Sequence, residues 1–258
     1  MIEAAAPGSR APSVAGRHGW FALALTPACA LLAWQSPSAF GGHLLVAAVA
    51  AILVSAGVLA LLGQPMHHLR RDPGALALAL LCLLWLPASI GAAGIALAVA
   101  LAVAIHTAFG GTGQSPFHPA AAGVAVVSFA LAPAESAPDT GLALALGAGV
   151  LLMLGRRLLH WPSLLGLAAG AALGALVGFA SGQDEGAPPS SAWLLVGGFV
   201  LADGGSTGLR TASRLGASFA VGLLAMILPG PAALPCAVLL ANVLLPWLEA
   251  VLPGRTRR

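Results

Sequence analysis

Long apolar runs cover nearly the whole chain, and Pro, Gly and charged residues break them at intervals. The runs are continuous rather than alternating, so they predict helices and not the strands of a membrane barrel. Ten segments result, at about 19–34, 42–63, 74–88, 90–108, 119–132, 140–155, 162–181, 191–202, 214–229 and 232–251. A bilayer span takes about 20 residues, and several of these are shorter. Short or Gly/Pro-interrupted spans belong where half-helices meet inside a bundle, because irregular backbone at membrane depth must be buried in protein or line a cavity.

Ten spans divide into five and five, and an odd number per half inverts the second half relative to the first. Two polar, Gly-rich interruptions break the pattern. One is Gly110-Gly111-Thr112-Gly113-Gln114-Ser115-Pro116-Phe117-His118-Pro119, and the other is Asp203-Gly204-Gly205-Ser206-Thr207-Gly208-Leu209-Arg210-Thr211. They are read as matching positions, each between the fourth and fifth span of its half. The expected fold is an all-α integral membrane protein, with about ten transmembrane helices in two inverted five-helix repeats. The first repeat is placed at 19–132 and the second at 133–251. Residues 1–18 read as a disordered tail and 252–258 as a basic tail.

Composition agrees with the pattern and excludes alternatives. Apolar residues make up 59% of the 258 and charged residues 7%, with a mean hydropathy of +0.96. A soluble domain carries about 25% charged residues, so a soluble enzyme is excluded. The apolar content also excludes a disordered chain. The charge of +3 comes from 11 arginines, with no lysine, against 8 acids. With the N-terminus in the cytoplasm, Arg10, Arg17, Arg70, Arg71, Arg156, Arg157, Arg210, Arg214, Arg255, Arg257 and Arg258 all fall on the inner side. Glu135, Asp139, Asp184 and Glu185 fall on the other. That asymmetry supports ten spans with both termini cytoplasmic. It also explains the basic balance without nucleic-acid binding. Cys29, Cys82 and Cys236 lie far apart inside apolar runs, so no iron–sulfur or zinc site is expected.

The two Gly-rich segments are where chemistry would sit. Gly permits positive φ and close backbone approach, and successive free N–H groups make an anion-binding nest. Pro119 suits the first position of the fifth span, whose N-terminus would offer a positive dipole end to a phosphate or carboxylate. Ser206, Thr207 and Thr211 add hydroxyls, Arg210 and Arg214 add charge, and Asp203 is the leading single candidate for an ion or cofactor contact. The simpler reading is a pair of buried re-entrant turns that let helices pack closely. His106 reads as a helix-end hydrogen-bonder or a proton carrier. His67 and His68 read as topology or headgroup contacts, and Asn242 as an interhelical hydrogen bond. No nucleophile–base pair, Walker loop, GxSxG elbow or HExxH occurs, so the chain is not expected to be catalytic alone.

Residues Gly110–Ala120 read G-G-T-G-Q-S-P-F-H-P-A, which resembles the G-G-x-G-x-N-x-x-N-P-A signature of the NqrB/RnfD family. These are membrane subunits of the sodium-translocating NADH:quinone reductase and of the Rnf electron-transport complex. Asp72–Leu76 resembles the family's D-x-S-A-L. Phe199–Asp203 resembles its F-x-x-T-D-P stretch, Arg214–Ala217 its G-R-x-x-F-G-A stretch, and Ala237–Asn242 with Pro246 its closing A-V-L-L-x-N-x-x-x-P. The resemblance runs from about residue 18 to the end and is nearest to the RnfD branch of the family. It implies ten spans in two inverted repeats, an FMN joined through phosphate to a Thr in an S-G-A-T-type motif of the fifth-to-sixth loop, and electron transfer coupled to Na⁺ or H⁺ movement. Other Rnf/Nqr-type membrane subunits would be the partners, in a bacterial inner membrane.

The chain departs from the family at three places. The outer loop is reduced to Pro133–Asp139, and no S-G-A-T motif occurs. Thr140 is the one Thr on that face, and its neighbours do not match. Both Asn of the first signature are replaced, by Ser115 and His118, and T-D-P becomes Ala202-Asp203-Gly204. Covalent flavinylation is therefore not expected. A noncovalent FMN or riboflavin held at the Gly-rich turns is the expected cofactor. The rival readings are a permease or channel for a small solute such as a flavin, and a scaffold without cofactor.

Overall fold

The computed structural model describes residues 14–71, 73–110, 115–131, 139–181, 188–202 and 210–251. The described residues form α-helices with no strand among them: α1 (Val14–Gln35), α2 (Pro37–Leu61), α3 (His67–Arg71), α4 (Gly74–Trp85), α5 (Gly91–Ala108), α6 (Pro119–Leu131), α7 (Thr140–Gly155), α8 (Trp161–Ser181), α9 (Ser190–Leu195), α10 (Thr211–Ile227) and α11 (Ala233–Val251). α9 runs on as a π-helical segment, Val196–Val200. By length and composition, four helices can cross a membrane: α2, α5, α8 over Trp161–Ala180, and α11. Six apolar helices are shorter.

Each apolar helix falls on one expected segment, with shifted ends. α1 begins at Val14, so the expected tail of 1–18 is helical in its last residues. α2 begins at Pro37 because proline suits the first helical position. α4 stops at Trp85, since Leu86 is extended (ψ 138°) ahead of Pro87. Proline does not always break a helix here. Pro27 lies inside α1 and Pro246 inside α11, as neighbouring helices allow within a membrane bundle.

The element order corrects one expectation. The turn at 110–118 joins the fourth and fifth apolar helices. The segment at 203–210 joins the eighth and ninth, the third and fourth of the second half. They are not matching positions. The connection that matches the first turn is 228–232, between α10 and α11.

Packing follows small residues. α8 lies along α10 in the most extensive helix contact among the described residues. Gly166, Gly170 and Gly174 recur every fourth residue on α8. A Cβ at Gly170 would run into the Phe219 carbonyl, and one at Gly222 of α10 into the Leu167 carbonyl. Such close approach is how helices gain contact where lipid removes the hydrophobic drive. α10 also packs on α11, α2 on α5, and α5 on α6. Between the halves the main contacts are α1 with α7, α4 with α9 and α6 with α11.

One apolar cluster joins α1, α2, α4, α5, α6 and α7 around Leu25, Leu81, Ile95, Val99, Leu146 and Phe199. A second gathers Val196, Val200, Val221, Ala237 and Val238 around Ala121 of α6.

Candidate functional site

Two residues past the end of α5 stands Gly110, whose φ of 92° lies in the left-handed region and whose N–H donates to the Thr107 carbonyl at 3.2 Å. A side chain at this φ would cost about 1–2 kcal/mol. Phe109 and Phe117 meet edge-on with ring centroids 6.0 Å apart, closing the two ends of the turn on each other. Ser115 and His118 are both buried. The Ser115 Oγ has no hydrogen-bond partner among the described residues. His106, in the last turn of α5, is 5% exposed.

Pro119 is the first residue of α6, and Pro119, Ala120 and Ala121 are buried. α6 has 13 residues, about 20 Å of helix against a hydrocarbon core of about 30 Å. The helix therefore opens inside the protein. The Ala122 N–H donates to the His118 carbonyl at 3.2 Å. The amides of Ala120 and Ala121 precede the first such bond and form the polar end of the helix.

The second segment is described only at its edges. Leu201 and Ala202 are buried at the end of the π-helical stretch. Arg210 donates from Nη1 to the Glu249 carbonyl at 2.7 Å, tying the start of α10 to the last turn of α11. Ser213 Oγ donates to the Arg210 carbonyl at 2.9 Å. Thr211 is exposed as the first residue of α10. Leu201 and Ala121 share the second apolar cluster, so the described edges of the two turns reach one common core.

Of the expected site residues, the structure brings Ser115, His118 and Pro119 together at the start of α6. It leaves Gly110 exposed just past the end of α5 and turns Arg210 toward α11. Gly111, Thr112, Gly113, Gln114, Asp203, Ser206 and Thr207 lie outside the described residues. The outer loop at 133–138 does as well. Thr140 is the exposed first residue of α7, capped by Asp139 Oδ1, which accepts from the Leu142 N–H at 2.9 Å. The Arg210–Glu249 link had no local signal, because its partners are 39 residues apart. The Phe109–Phe117 closure had a weak one, two aromatics flanking a Gly-rich turn.

Comparison with protein families matched residues 7–139 to the model described as the NQR2, RnfD, RnfE family. No curated protein matched the chain. The matched stretch holds the first five apolar helices and the turn that opens α6. The chain is a member of the NQR2, RnfD, RnfE family of membrane subunits.

Proposed function

We propose that this chain is the membrane subunit of an Rnf/Nqr-type electron-transport complex, crossing a bacterial inner membrane ten times as two inverted five-span halves with both termini inside. The family match supports the subunit role, and the helix contacts support the arrangement. Number the apolar helices one to ten. The main contacts between halves then join one with six, three with eight and five with ten, which is what a two-fold axis between equivalent spans produces. Within each half, the second span packs on the fourth and the fourth on the fifth.

The tryptophans agree. With the N-terminus inside, Trp20, Trp161 and Trp247 stand near inner ends, and Trp34, Trp85 and Trp193 near outer ends. Trp prefers both membrane interfaces, and all six fit this topology.

The family implies an FMN. The chain lacks the attachment motif, and its remaining outer Thr, Thr140, sits on an exposed helix start. A noncovalent flavin fits the start of α6 better. Ser115 Oγ is a buried hydroxyl there, and the amides of Ala120 and Ala121 would meet the flavin phosphate at the positive end of the helix. A bound flavin supplies one- and two-electron chemistry. The buried residues at the start of α6 would orient it and keep water from it.

The test is purification of the full chain from its native membrane by an affinity tag. The subunit reading expects co-purifying redox subunits, with NADH- or ferredoxin-dependent reduction of the bound pigment. Isolation of the chain without any electron-carrying partner contradicts it.

A further inference from the structure

We infer that His106 and His118 form a buried proton-binding pair beside the Gly-rich turn. The register between α5 and α6 carries the pairing. A Cβ on Gly123 of α6 would meet the Ala98 carbonyl and stand 3.3 Å from the Ala102 Cβ. Ala98, Ala102 and His106 follow every fourth residue along one face of α5, and all three are buried. One turn back from Gly123 on α6 is Pro119, next to His118. α5 and α6 are consecutive helices joined by a turn whose ends meet through Phe109 and Phe117, so they run antiparallel. The turn of α5 that holds His106 therefore lies level with His118. The buried Oγ of Ser115, without a partner among the described residues, stands three residues before His118.

The chemistry follows from the residue types. The buried polar side chains of the described residues are serines, Asn242 and these two histidines. Imidazole exchanges protons near neutral pH, and an ionisable side chain inside a membrane bundle marks an ion path. One proton adds to a ring nitrogen and later leaves it, and no electron moves in that step.

The helices packed on α5 and α6 carry other titratable groups. α2 brings His43, near its opposite end. α4 brings Cys82, whose Sγ faces the Ala98 carbonyl at 4.0 Å. α11 brings Cys236 and, at the end near Arg210, Glu249.

The test uses full-length protein labelled with ¹⁵N-histidine, titrated by NMR in KCl and then in NaCl. His118→Asn and His106→Gln are compared with the parent. Coupled sites have midpoints that belong to the pair, so removing either ring should move the other's midpoint. The shift should be the same in both salts. The two variants report reciprocally, so one that misfolds leaves the other readable. Midpoints that ignore the partner's removal overturn the pair, and a midpoint that moves with Na⁺ overturns the proton assignment. Flavin content of the same samples bears on the subunit reading alone.

Discussion

Arg157 holds a conformation that glycine usually holds. Its φ is 56°. Its N–H donates to the Leu154 carbonyl, and the Leu158 N–H reaches Met153, so Arg157 takes the left-handed position of a helix C-terminal motif. Replacing it by Gly should stabilise the purified protein by about 1 kcal/mol, read as a higher thermal midpoint in detergent. A lower midpoint would mean that its charge outweighs the strain. Its neighbour Arg156 stacks on Trp20, 3.8 Å from the ring centroid. Arg156→Ala should cost about 0.5–1 kcal/mol in the same assay. The burial of Ser115 and His118 was legible only in part. Their place in a Gly-rich segment marked them, but burial is set by tertiary packing that the local sequence does not spell out. Arg210 shows the limit: its charge suggested an anion ligand, whereas its guanidinium holds the end of a helix 39 residues away.

At the scale of the element, the ten apolar segments were legible because each interruption had a local physical cause. Pro87 forces extended backbone before it, and Gly63 and Gly110 take positive φ at helix ends. Pro27 and Pro246 break neither helix, and the expected segments run through both. The π-helical turn of Val196–Val200 had no sequence signature. Its Gly198 would carry a Cβ into Val150 of α7, and Gly197 lies against Leu164 and Leu167 of α8. The Gly166/Gly170/Gly174 face of α8 gives a sharp prediction. Gly170→Leu should destabilise the bundle by about 1–3 kcal/mol through overpacking. Gly57→Leu on α2, where nothing stands within 4 Å, should leave the midpoint nearly unchanged. Equal effects at the two sites would contradict the α8–α10 packing described here.

At the scale of the whole molecule, the one-sided arginines suggested the topology, while the helix contacts that support it emerged only from the fold. The misplaced symmetry of the two Gly-rich segments shows why: both interrupt apolar runs alike, but span order sets which connections are equivalent. The topology is testable directly. In a chain with Cys29, Cys82 and Cys236 replaced, a cysteine at Thr140 should react with an impermeant maleimide from the outer side, and one at Arg157 only from the inner side. Labelling of both from one side would break the ten-span order. The electron-carrying role is the central claim, and the visible absorption spectrum of the detergent-purified protein, taken before and after acid precipitation, tests it most directly. Flavin bands near stoichiometric loading that pass into the supernatant are the predicted result. A colourless protein would contradict the role, and flavin that stays with the precipitate would contradict noncovalent binding at the start of α6.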